Sequence, residues 1–293
     1  MLWFFFGMEL GFGYNPSMPS NMQSLLKLII GLLLCVLSIS QSQALDLGFS
    51  ELDKRQKLLL VNAGTVAVIT AWGIAKWDYG QRSPHMQSEG WLGNDTKEGG
   101  ADKLGHLWST YIFGESLSNL YEGWGYNHDQ AASYGALSSF AIMGFMEVGD
   151  SFSNYGFAYE DLITNALGSV AGYLMYKYPD FARKVDLRWE YAPAFDRMDF
   201  FTDYEHTKYL VALQLGGFDR LEGTPLEYLE LQLGYYSRGF ETQRADRERN
   251  LYIGVGLDLS RLFRKAGCEK FCKVFHYYQP PYTYVAHDSN LND

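Results

Sequence analysis

The chain has 293 residues, enough for one or two domains with a full core. Its net charge of −10 offers no basic groove for phosphate, so nucleic acid is excluded as a partner. The 22 tyrosines and 19 phenylalanines suit a large core or a surface that meets lipid.

The N-terminus reads as an export signal. Lys27 supplies a small positive region, residues 28–37 (LIIGLLLCVL) are the apolar stretch, and Ser42-Gln43-Ala44 is a small-x-small cleavage site with Leu45 as the first mature residue. Met22 reads as the true start, because the preceding residues do not resemble the charged region of a signal. The apolar stretch is short for a membrane span, which needs about 20 residues. Cys35 follows Leu33-Leu34, where a lipoprotein site takes small residues, so no lipobox is expected. The expected organisation is an upstream extension and signal peptide over 1–44, a helical bundle over 45–183, and a β-rich region over 184–293.

Residues 57–76 form an apolar segment bracketed by lysines, long enough as a helix to cross a bilayer. A Gly-rich polar loop over 77–100 follows. Further helices are predicted over 101–121, 130–147 and 159–178, the last stopped by Pro179. Small residues such as Gly135, Ser139, Gly144, Gly168 and Gly172 fill the last two, which lets helix backbones approach closely. Asp161, Asn165, Gly168 and Gly172 form one stripe, polar at one end and tightly packed at the other.

From residue 184 charge rises and period-two patterns appear. Strands are predicted over 208–218, 229–235 and 251–259, with Glu222-Gly223-Thr224-Pro225 as a turn and an irregular tail after Tyr277. Their apolar face would pack on the helices or on lipid. The expected fold is therefore α+β, a membrane-associated bundle of four apolar helices followed by a small antiparallel β-meander. Cys268 and Cys272 are a disulfide candidate in an oxidising compartment, with two free thiols as the alternative.

Three polar clusters stand at predicted helix ends: Asp102-Lys103-Leu104-Gly105-His106, Glu147-Val148-Gly149-Asp150, and Asp161 with Asn165. On antiparallel helices all three fall at one end of the bundle. His106 with Asp102 has the makings of a general base and its orienter, with Glu147 and Asp161 as further catalytic candidates. Asp102, His106, Glu147 and Asp150 are also a weak divalent-metal set. No His-Glu-x-x-His motif is present, and a Ser-His-Asp reading through Ser109 or Ser151 has no nucleophile elbow. The competing reading is structural. Asp102 and Asp161 sit in first helical turns, where acids favour the dipole, while Lys103, Asp150 and Asn165 complete a polar centre of paired groups. His276 and the other histidines read as surface residues. Glu115 must face the bundle if its helix is in lipid, and is otherwise an exposed acid.

These motifs resemble the DUF2279 (YfiM-like) family of predicted periplasmic, lipoprotein-like envelope proteins. The residues that carry the resemblance are Glu89-Gly90-Trp91, Asp95-Thr96, the run from Gly99 to His106, Glu147-Val148-Gly149-Asp150, and Asp161, Asn165, Gly168 and Gly172. The order Asp-Lys-x-x-His, Glu, Asp-x-x-x-Asn-x-x-Gly is more distantly similar to VanZ-like membrane proteins. The resemblance implies a compartment and a fold; the family has no established reaction. The expectation is an exported, membrane-associated protein of a Gram-negative cell envelope, its partner membrane lipid or another envelope component. The alternative is a metal- or His-dependent envelope hydrolase or transferase acting on lipid or cell-wall precursors. Whether the chain is an enzyme, and which cofactor it would take, stay open on the sequence.

Overall fold

The computed structural model describes residues 49–192, 203–240 and 247–292. The expected signal peptide and cleavage site, with Cys35, lie outside the described residues.

Four long helices come first: α1 (Lys54–Lys76), α2 (Ala101–Gly123), α3 (His128–Asp150) and α4 (Tyr159–Lys177). α1 and α3 begin with capping boxes, Asp53 with Gln56 and Asn127 with Gln130, so their first backbone N–H groups find side-chain acceptors. A one-turn helix, α5 (Pro179–Ala182), follows α4, its proline in the first helical turn where no N–H is needed. α2, α3 and α4 pack closely on one another, and α1 lies along α3. The small residues allow this. A Cβ on Gly168 would strike the Leu107 carbonyl and stand 2.9 Å from Thr110 Cβ, and one on Gly135 would meet Gly114 O at 2.7 Å. Polar bonds cross the same contacts: Ser169 Oγ donates to Ala136 O at 2.7 Å and Tyr121 OH to Ser138 Oγ at 3.0 Å.

Five strands follow, β1 (Val185–Tyr191), β2 (Thr207–Gln214), β3 (Leu229–Arg238), β4 (Glu248–Leu257) and β5 (Tyr284–Asn290), as an antiparallel meander in chain order. Two short helices, α6 (Leu259–Lys265) and α7 (Glu269–Phe275), connect β4 to β5. The α+β architecture therefore stands, with two more strands than expected. β1 alternates apolar and charged residues through seven positions, and the tail expected to be irregular supplies β5.

The sheet curls until its edges approach each other. Tyr284 OH on β5 donates to Glu190 Oε2 on β1 at 2.7 Å, and residues 277–279 bond across Trp189. Inside the curl lie Asp186, Arg188, Glu230, Gln232 and Gln279, all buried. Arg188 donates to Asp186 Oδ2 at 2.6 Å, to Glu230 Oε1 at 2.7 Å and to Gln279 Oε1 at 2.8 Å. The apolar face points outward, leaving Val211, Leu233, Ile253, Val255, Leu257 and Val285 exposed. The first half of α2 covers just one end of that face, where the Trp108 and Trp189 rings lie 5.2 Å apart and Tyr235 OH donates to Gly99 O.

The expected disulfide is not formed. Cys268 and Cys272 are free; Cys268 is exposed at the start of α7, and Cys272 is buried with Sγ turned back to Cys268 O at 3.4 Å. One turn of helix sends the two side chains to different environments.

Candidate functional site

The start of α2, the end of α3 and the start of α4 meet at one end of the bundle, and the loop before α2 folds over them. Lys103 is the hub. Its ammonium lies 2.6 Å from Glu89 Oε2, 2.7 Å from Asp102 Oδ2 and 2.7 Å from Asp161 Oδ1. The Asp161 contact falls outside hydrogen-bond geometry, so that oxygen has a charge partner and no donor. Burial alone would lower the Lys103 pKa; Asp102 and Asp161 outweigh it and hold the lysine charged well above its ordinary value. Glu160, next to Asp161, anchors the loop by accepting from Ser88 Oγ and, at 3.2 Å, from Gly90 N.

A second group lies one helical turn deeper. His106 Nδ1 stands 3.3 Å from Asn165 Oδ1 and 3.4 Å from Glu147 Oε1, while Nε2 faces Asp161 Oδ1 at 3.9 Å. Asn165 bridges the helices, accepting from Thr110 Oγ1 at 2.9 Å and donating to Glu147 Oε1 at 3.1 Å. Glu147 is 1 % exposed, with no lysine or arginine in ion-pair contact among the described residues. Burial, then the charges of Asp161 and Asp150, push its carboxyl up to about 9. Burial likewise raises Asp150 to about 7, while the nearby Tyr79 hydroxyl donates to Met146 O at 3.1 Å.

The three sequence clusters thus form one centre, with different pairings from those expected. Asp102 turns to Lys103 and does not orient His106. Lys103 pairs with Glu89, Asp102 and Asp161. The metal set of Asp102, His106, Glu147 and Asp150 does not converge as a group. The sets whose ligand atoms lie within 4.8 Å of one another are His106, Glu147 and Asp161, and Glu89, Asp102 and Asp161. The Lys103 ammonium already fills the focus of the second, so a cation there would have to displace it. The first has the nitrogen and oxygen donors that zinc or manganese takes.

Sequence reasoning gave no structural role to Glu89, Glu160 or Tyr79. Glu89 and Glu160 lie in or beside the loop motif and the Asp161 cluster, but nothing in the pattern shows that the loop folds back. Glu115 is buried rather than exposed, and His276, read as a surface residue, bonds Asp186 through Nδ1 at 3.0 Å.

Residues 88–177 match the DUF2279 family model. DUF2279 is described as a predicted periplasmic lipoprotein, which supports a place in the cell envelope. The DUF2279 segment contains the loop and the whole polar centre; α1 and the curled sheet lie outside it. No curated protein and no solved structure matches the chain.

Proposed function

We propose that this is a membrane-seated envelope protein in which α1 enters the bilayer and the polar centre is a structural core that locks α2, α3 and α4 together beneath the loop of residues 88–100. The observation that carries this reading is the reversed distribution of polarity. Charged and amide groups are buried inside one end of the bundle and inside the sheet, beside apolar clusters around Tyr121 and around Tyr252. Leu137, Phe145, Ile163, Leu167, Val170 and Leu174 face outward on α3 and α4, and the open sheet face is apolar too. Among the described residues, α1 is the one helix long and apolar enough to cross a membrane, and little of it is buried against the rest of the chain. Water is a poor solvent for such a surface, and exposed apolar area on this scale marks a lipid or protein contact.

The mutual pairing of these groups favours a structural role over a catalytic one: Lys103 is held by Glu89, Asp102 and Asp161, and Asn165 ties Thr110 to Glu147 across three helices. Membrane fractionation tests the proposal: the full-length protein should stay with membranes through high salt and alkaline carbonate and require detergent for release. Release as a soluble monomer without detergent would overturn it. Bound-metal analysis of the purified protein and of His106→Ala tests the His106, Glu147 and Asp161 set. Stoichiometric zinc or manganese lost in the variant would make the lock a metal centre.

A further inference from the structure

A second polar region lies away from this centre, where α2 and α4 meet the sheet and α6–α7. It surrounds a cavity of about 420 Å³ lined by Tyr111, Glu115, Asp186, Arg264, Lys273 and His276, among others. That volume suits a small ligand or a lipid headgroup.

The cavity is charged in opposite senses at its two ends. At the floor, Glu115 is 8 % exposed, and the phenols of Tyr111 and Tyr277 lie near enough to its carboxyl to lower its pKa. No cation pairs with it among the described residues. Burial raises its pKa, outweighing the lowering effect of the Tyr277 and Tyr111 phenols and of His276. Asp186, also at the floor, is fully engaged by Arg188, Gln214 and His276. At the rim, Arg264 and Lys273 are exposed, and neither pairs with a carboxylate among the described residues. Arg264 Nη2 faces His276 Nε2 at 3.4 Å, so the guanidinium is held over the opening.

A buried acid at the bottom and two exposed cations at the top are complementary to a small zwitterion. We infer that the cavity binds a small zwitterion bearing a primary ammonium and a phosphate, the chemistry of phosphoethanolamine, with the ammonium on Glu115 and the phosphate on Arg264 and Lys273. The phenols of Tyr111 and Tyr277 flank the ammonium position, and a planar guanidinium suits two phosphate oxygens. The source is a free phosphoamine or the headgroup of a phospholipid. For a lipid, the acyl chains have an apolar path beside the cavity, where Leu174, Tyr178 and Phe181 are exposed next to the lining residues Met175 and Ala182.

Calorimetric titration of the detergent-solubilised full chain with phosphoethanolamine tests this, with phosphocholine, ethanolamine and inorganic phosphate as comparisons. Phosphoethanolamine should bind saturably and more tightly than the other three. Glu115→Gln and Arg264→Ala should each weaken it on the order of 10- to 100-fold, with thermal melting confirming that both variants fold. Vesicle flotation separates the sources. A preference for phosphatidylethanolamine over phosphatidylcholine vesicles that Arg264→Ala abolishes, without binding of the free compound, assigns the headgroup. Attachment to both vesicle types alike reports the membrane seat alone. The inference is overturned if free phosphoethanolamine does not bind and flotation shows no headgroup preference, or if binding is unchanged in both folded variants.

Discussion

At the scale of single residues, the charge state of Glu147 governs how the protein responds to pH. Its carboxyl sits at about 9 in the folded chain against an ordinary 4.5, because burial and then Asp161 and Asp150 disfavour its ionised form. The unfolded chain therefore gives up this proton near 4.5, while the folded chain keeps it to about 9. Folding takes up a proton between these limits, so the contribution of Glu147 is fully present below 4.5 and is lost as pH rises through the window. Asp150, raised from 3.8 to about 7, acts in the same direction over a lower range. Glu147→Gln keeps an oxygen for Asn165 and removes the titration. Its melting temperature at pH 8 should exceed that of the unaltered protein by several degrees, about 2–4 °C for each kcal/mol gained, and the two should converge at pH 5. Equal slopes of stability against pH in the two proteins would contradict this account. The sequence showed that Glu147 would stand among acids, from the spacing of the three clusters. Its pairing was not legible, because the choice between Lys103 and His106 depends on the loop that brings Glu89 to the lysine first.

At the scale of elements, the helix contacts rest on glycines that differ sharply in what surrounds them. Gly168 has no room for a methyl group against the Leu107 carbonyl, whereas Gly64 on α1 has nothing within 4 Å. Gly168→Ala should force α2 and α4 apart and cost about 1–3 kcal/mol. Gly64→Ala should be neutral or gain up to about 1 kcal/mol through helix propensity. Thermal melts in one detergent compare them directly, and equal effects would mean that the α2–α4 approach is looser than described. The helices were readable from the sequence to within about three residues, since each has apolar length, two have capping boxes and one is stopped by Pro179. The sheet was less readable. Leu229, Leu231 and Leu233 announce an apolar face by their alternation, but alternation does not say which face turns inward. Here Arg188 pairs with Asp186 and Glu230, so the charged side is the buried one. β5 was missed because a sequence such as Ala286-His287-Asp288-Ser289 carries no strong strand pattern and is ordered by pairing with β4.

At the scale of the whole molecule, the bundle and the sheet both bury charged groups and both leave apolar side chains outside, as the proposed membrane seat requires. If the sheet face meets lipid, charge placed there should matter more than charge placed at the cavity rim. Ile253→Glu together with Leu233→Glu should reduce flotation with phosphatidylcholine vesicles several-fold, since each buried acid opposes transfer into hydrocarbon. The two positions are cross-strand partners, so the charges also fall side by side. Unchanged flotation with the native fold intact would assign the sheet face to a protein contact and leave α1 with α3 and α4 as the membrane seat.

The Lys103 cage also constrains the order in which the protein is built. Glu89 and Asp102 are synthesised before or beside the lysine, but Asp161 arrives after all of α3 has been made. Until then the lysine shares two acids, His106 has no carboxylate on its Nε2 side, and Glu147 lacks its Asn165 donor. α2 and α3 alone would thus be a hairpin with unsettled polar groups, poorly suited to a nonpolar surrounding. The arrival of α4 supplies Asp161 and Asn165 together, so the bundle should assemble late and as a single step rather than helix by helix.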